Sequence, residues 1–294
     1  MQQSENDILR RVRKIEIKTR GLSNEIFAGK YHTAFRGRGM SFSEVREYRI
    51  GDDVRDIDWN VTARSSKPHI KIYEEERELT MMLLVDVSAS RGFGSAERMK
   101  QNVITEIAAV LAFSAAQNND KVGCIFFSDK VEKFIPPKKG KSHILMIIRE
   151  LISFKPESSL TAISEAVRFM TNVSKKRCTT FILSDFMNSR RDREPLEDAL
   201  KIAGSKHDLV GIRVWDKREA ELPDVGIVEL EDAETGRKEW IDTSSRRVRE
   251  HYAQSWKERD EQICELLRRN RIDSAMISTE GDYVAELIKL FKQR

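Results

Sequence analysis

The chain has 294 residues, 52 of them Lys or Arg against 48 Asp or Glu for a net charge of +4, with 39% apolar and 34% charged residues. This balance excludes a disordered tail, and no basic run is long enough to track nucleic-acid phosphates, so no nucleic-acid partner is expected. The longest apolar run, "IAAVLAFSAA", is too short to span a bilayer, and the first residues have no apolar core of secretory length, so a cytoplasmic protein without a transmembrane segment is expected.

Residues 1–78 read as a small N-terminal module. Arg10, Arg11, Arg13, Lys14, Lys18 and Arg20 give a basic, solvated helix face. "SFSEVREYRI" and "PHIKIYEEE" read as extended, and "DDVRDIDWNVTA" has Val54, Ile57 and Val61 at helical spacing with Asp52 or Asp53 as a cap. The charges Asp52, Asp53, Arg55, Asp56, Asp58 and Arg64 admit an acid–base cluster, but opposite charges at this density more often fix one module against another. They predict a salt-bridged network, with Trp59 as an anchor between modules.

From residue 79 the rhythm changes to βα units. "TMMLLVDV", "VGCIFFS", "CTTFILSD", "DLVGIRVWD" and "IDSAMIS" are nearly continuous apolar runs, which predicts strands of a parallel sheet buried on both faces. "KVEKFIPP" predicts an edge strand, because Pro136 and Pro137 cannot donate to a central ladder. Between the runs, Val103, Ile107, Val110 and Leu111, then Ile144, Ile147, Ile148 and Leu151, then Ile163, Ala166, Val167 and Met170 recur at helical spacing. Residues 224–242 predict an inserted β-hairpin turning near "ETG", followed by a charged helix from about 243 to 270. Cys124, Cys178 and Cys264 form no CxxC pair and are expected as free thiols. The whole predicts an α/β domain at 79–294, a mostly parallel sheet with helices on both faces.

Ligands of such a sheet bind beyond the carboxyl ends of its strands. Asp86 closes the first strand there, Ser88 and Ser90 follow it one residue apart, Asp185 closes a second strand, and Thr161 opens a helix. Taken singly, these are an ordinary turn and a helix cap.

Together, the D-x-S-x-S run, the threonine and the second aspartate resemble the metal-ion-dependent adhesion site of von Willebrand factor A domains. Ser158, Ser159 and Leu160 stand where glycines often precede the threonine. The resemblance implies a von Willebrand factor A-like fold, with Ser88, Ser90 and Thr161 as direct ligands, and with Asp86 and Asp185 acting through water. Hard oxygen donors suit Mg²⁺, with Mn²⁺ or Ca²⁺ as alternatives, and one coordination position is left for a partner's carboxylate. The block "FRGRGMSFSEVREYRIGDDVRDIDWNVTARSSKPHIKIYEEERE" resembles the bacterial domain of unknown function 58 family. That resemblance implies a MoxR-type AAA+ ATPase as partner and an acidic protein as client, hence a non-enzymatic interaction module.

The rival reading is a Mg²⁺-dependent phosphoryl-transfer enzyme in which Asp86 is the nucleophile. It lacks a second aspartate two residues on, where Ser88 stands. No phosphate-cradling G-x-x-x-x-G-K-[ST] loop and no G-x-S-x-G elbow occur, and the five histidines are scattered.

Overall fold

The computed structural model describes residues 10–19, 40–65, 67–75, 79–88, 94–95, 98–187, 192–231 and 238–294. The chain divides into a large unit, residues 1–34 with Thr80–Arg294, and a small unit, Phe35–Leu79. Helix α1, residues 10–19, therefore belongs with the sheet and not with the small unit.

In the small unit, β1 (Met40–Glu47) and β2 (His69–Glu75) form an antiparallel pair with a bulge between Phe42 and Glu44. The segment expected to be one helix is broken into a 3₁₀ turn at Val54–Asp56 and a short helix α2 (Trp59–Thr62), because two aspartates each cap a separate turn. Asp53 accepts from Arg55 N at 2.9 Å and Asp58 accepts from Asn60 N at 2.9 Å. Between the turns Ile57 bridges to Ile70 of β2. Asp52 takes a bidentate Arg46 at 2.8 Å, and Lys71 pairs with Asp58 at 3.5 Å, so two aspartates of the charged block pair separately with β1 and β2 of this unit. Trp59, expected as an anchor between modules, is 70% exposed.

The large unit starts with β3 (Thr80–Asp86), followed by a minimal antiparallel pair, β4 (Gly94–Ser95) and β5 (Arg98–Met99). Next come α3 (Lys100–Gln117), β6 (Lys121–Phe127), β7 (Val131–Lys138), α4 (Lys141–Ser153), α5 (Ile163–Val173) and β8 (Thr179–Ser184). The chain continues through α6 (Arg193–Lys206), β9 (Asp208–Trp215), α7 (Lys217–Ala220), β10 (Ile227–Glu231), β11 (Lys238–Asp242), α8 (Arg246–Arg269), β12 (Asp273–Ser278) and α9 (Tyr283–Gln293). The six-stranded sheet has the order β12-β9-β8-β3-β6-β7. All neighbours are parallel except β7, the antiparallel edge strand that carries Pro136 and Pro137. β10 and β11 form the separate antiparallel hairpin; its turn, near "ETG", lies outside the described residues.

Alternation along β3 explains how one strand fills two cores. Met82 and Leu84 join a cluster with Ile163, Val167, Leu196, Leu200 and Leu267, from α5, α6 and α8. Met81, Leu83 and Val85 point to the opposite face and are equally buried. On that side Phe181 of β8 meets Phe291 of α9 edge to face, with ring centroids 6.2 Å apart. α3 is buried nearly all round its circumference, as a helix apolar on every side must be. α1 supplies part of its cover, with Arg11 donating to Asn102 at 2.9 Å and Lys18 to Glu106 at 2.6 Å. The basic segment is thus only half solvated: Val12 and Thr19 are buried.

Candidate functional site

After β3 the chain adds β6 on one side and later returns to place β8 on the other, so the winding reverses between β3 and β8. The carboxyl ends of these two strands are therefore where a sheet of this kind binds its ligands. Asp86 is the last residue of β3, and Ser184 the last of β8. Ser184 Oγ donates to Asp86 Oδ2 at 2.6 Å, and Ser88 N donates to Asp86 Oδ1 at 2.9 Å. The Ser88 hydroxyl bonds the same carboxylate. Asp86, Ser88 and Asp185 are all buried.

Burial first, and then the charge of Asp185, push the Asp86 carboxyl up to about 6, against the hydrogen bonds from Ser184 and Ser88. The like charge of Asp185 thus opposes ionisation of Asp86. Just past Asp185, Phe186 is buried with φ 57°, a left-handed conformation that a bulky residue adopts only when its surroundings impose it. This elbow turns the chain so that Asp185 Oδ1 accepts from Met187 N at 2.9 Å while the Asp185 carbonyl accepts from Arg213 Nε at 3.1 Å.

Thr161 comes to the same end of the sheet by a different route. Val87 N donates to Phe127 O at 2.8 Å, and Ala162 N donates to the next carbonyl, Ser128 O, at 2.8 Å, which ties the segment before α5 to the end of β6 beside β3. Thr161 is 2% exposed. It does not cap α5: the N-cap is Ala162, without a side-chain bond. Asp192, at the start of α6, does this work from outside, accepting from Ser164 N at 3.2 Å and bonding the Ser164 hydroxyl. The glycine-free loop ahead of Thr161 is held by side chains instead, with Ser158 Oγ accepting from Leu160 N at 3.2 Å and Glu132 from Glu157 N at 2.9 Å. Ser90 lies outside the described residues.

The sequence reading missed Lys100. It opens α3, is 1% exposed, and its Nζ lies 2.9 Å from Asp185 Oδ2 and pairs with Glu219. Burial alone would lower its pKa, but the charges of Asp185 and Glu219 outweigh burial and hold it above the ordinary lysine value. The missed signal was positional, since a cation in the first turn opposes the helix dipole and therefore calls for an anionic partner.

The donors gathered here are carboxylate and hydroxyl oxygens without nitrogen or sulfur, which fits Mg²⁺ better than Zn²⁺. Among the described residues no three His, Cys, Asp or Glu side chains are arranged to hold a metal. No described helix is long and apolar enough to cross a membrane.

The family model described as "Protein of unknown function DUF58" matches residues 44–262. The chain is 27% identical over 287 residues to Uncharacterized protein Rv1480 of Mycobacterium tuberculosis, covering 96% of this chain and 88% of that one. Among solved structures it is similar to the conserved hypothetical protein BatB from Bacteroides thetaiotaomicron, at 16% identity and TM-score 0.49, covering 73% of this chain and 98% of that chain. It is also similar to a von Willebrand factor type A protein from Catenulispora acidiphila, at 8% identity and TM-score 0.42, covering 76% of this chain and 43% of that chain.

Proposed function

From a chain that belongs to the DUF58 family and has a six-stranded, mostly parallel sheet, we propose a non-enzymatic protein-interaction module that binds a partner's carboxylate through a divalent cation. Ser88, Ser90 and Thr161 are the direct ligands in this reading, and Asp86 and Asp185 hold charge and water around a Mg²⁺. When bound, the ion supplies a vacant coordination position for the partner's oxygen. The partner is a MoxR-type AAA+ ATPase, with an acidic protein as client. The observation that supports the reading is the buried Asp86 carboxyl at the end of β3, raised first by burial and then by the charge of Asp185.

The test is capture of the purified ATPase by the wild-type chain and by Asp86→Ala and Ser88→Ala, each in Mg²⁺ and in chelator. The proposal expects capture to fall in chelator and in both variants. Capture that ignores chelator and substitution alike overturns it, and turnover of a phosphate ester lost in Asp86→Asn would favour the enzymatic rival.

A further inference from the structure

A cation already stands at this end of the sheet. The Lys100 ammonium is buried between two carboxylates, Asp185 and Glu219, and the oxygen it takes on Asp185 is Oδ2, while Oδ1 is engaged by Met187 N. Glu219 is fixed from behind, because its Oε2 accepts from Asp216 N at 3.0 Å in a capping box that starts α7. Asp216 in turn accepts from Thr279 Oγ1 at 2.6 Å. Glu219 can therefore keep the ammonium while Asp185 changes partner.

We propose that Lys100 is the resident counter-cation of the site: its ammonium holds Asp185 when no divalent ion is bound, and an incoming ion gains Asp185 by displacing Lys100 onto Glu219. This rests on the adhesion-type reading above and adds its regulation. A single ammonium neutralises one member of the Asp86–Asp185 pair, whereas a divalent ion neutralises both, so the exchange favours the ion only when enough of it is present. The exchange also links cation occupancy to α7, since Lys100 then keeps its pairing with Glu219. A lysine here makes the domain self-sufficient without metal and sets how much metal is needed to arm it.

The experiment is calorimetric titration of the full chain with Mg²⁺, and with Mn²⁺ as a second probe, in wild type, Lys100→Met and Glu219→Gln. Removing a like charge at contact distance should tighten cation binding by about tenfold or more in Lys100→Met, the equivalent of about one pKa unit of charge interaction. Glu219→Gln keeps an amide oxygen for Asp216 N but removes the carboxylate that would hold Lys100 away from Asp185, so it should weaken binding several-fold. A lysine that only packs the core would leave affinity unchanged or lower it in Lys100→Met, and that result overturns the inference while wild-type binding keeps the adhesion-type reading. If Lys100→Met does not fold, Glu219→Gln decides: weaker binding supports the exchange and unchanged affinity overturns it. If neither wild type nor Lys100→Met binds either ion at millimolar concentration, the adhesion-type reading fails and the exchange with it.

Discussion

Ser184 Oγ donates to Asp86 Oδ2 at 2.6 Å and so joins the last residue of β8 to the last residue of β3 across the point where the winding reverses. The same hydroxyl accepts from Phe186 N at 3.0 Å, which steadies the left-handed elbow behind Asp185. Ser184→Ala should therefore cost about 1.5–3 kcal/mol, the range for a hydrogen bond to a charged group. A urea unfolding curve with an unchanged midpoint would show that the bond stabilises nothing.

Asp192, not Thr161, serves the first turn of α5. Asp192→Ala should lower stability by about 2 kcal/mol, since it removes the buried carboxylate that accepts from the first turn of α5 and strands Ser164. Thr161→Ser should leave the unfolding midpoint nearly unmoved, because no N-terminal N–H of α5 depends on this side chain for its cap. Equal losses in the two variants would mean that Thr161 is a structural residue.

Most of the fold was legible because both-face burial leaves long apolar runs in the four inner strands, and all five parallel strands and the proline-bearing edge strand lie where the sequence puts them; β12, expected to be buried on both faces, is instead the opposite edge and is buried only in part. The site was legible only in part. Asp86 and Asp185 are marked by position at strand ends, but the partners that set their chemistry are distant in sequence: Ser184 is 98 residues from Asp86, and Lys100 is 85 from Asp185. Thr161 looked like a cap because capping residues precede helices, and nothing local reveals that Asp192, 28 residues beyond Ser164, takes over that work. In the small unit the spacing of Val54, Ile57 and Val61 suggested one helix, but Asp58 starts a new turn and Ile57 is drawn to β2.

The Asp86 carboxyl sets a pH dependence. Its folded value of about 6 lies above the ordinary 3.8, so the folded chain holds this proton more readily than the unfolded one. Without metal, this group makes stability fall as pH rises from about 4 to about 6, and its effect levels off above that window. Cation affinity runs the other way, because the proton and the ion compete for one carboxylate. Mg²⁺ binding should be about tenfold weaker at pH 5 than at pH 7. An affinity flat across that range would remove Asp86 from the site.

Trp59 is exposed on the small unit. Trp59→Ala should change stability by less than about 0.5 kcal/mol, as surface substitutions do. A loss of 2 kcal/mol or more in thermal or urea unfolding would restore it as a packing residue.

The central claim is that hydroxyls and carboxylates from separate loops hold one divalent ion at the end of β3, and Mg²⁺ titration of wild type against Thr161→Ala tests it most directly. The expected result is one ion per wild-type chain, with affinity at least about tenfold lower in the variant. Wild type that takes up no ion, or a variant that binds it as tightly as wild type, would contradict the claim.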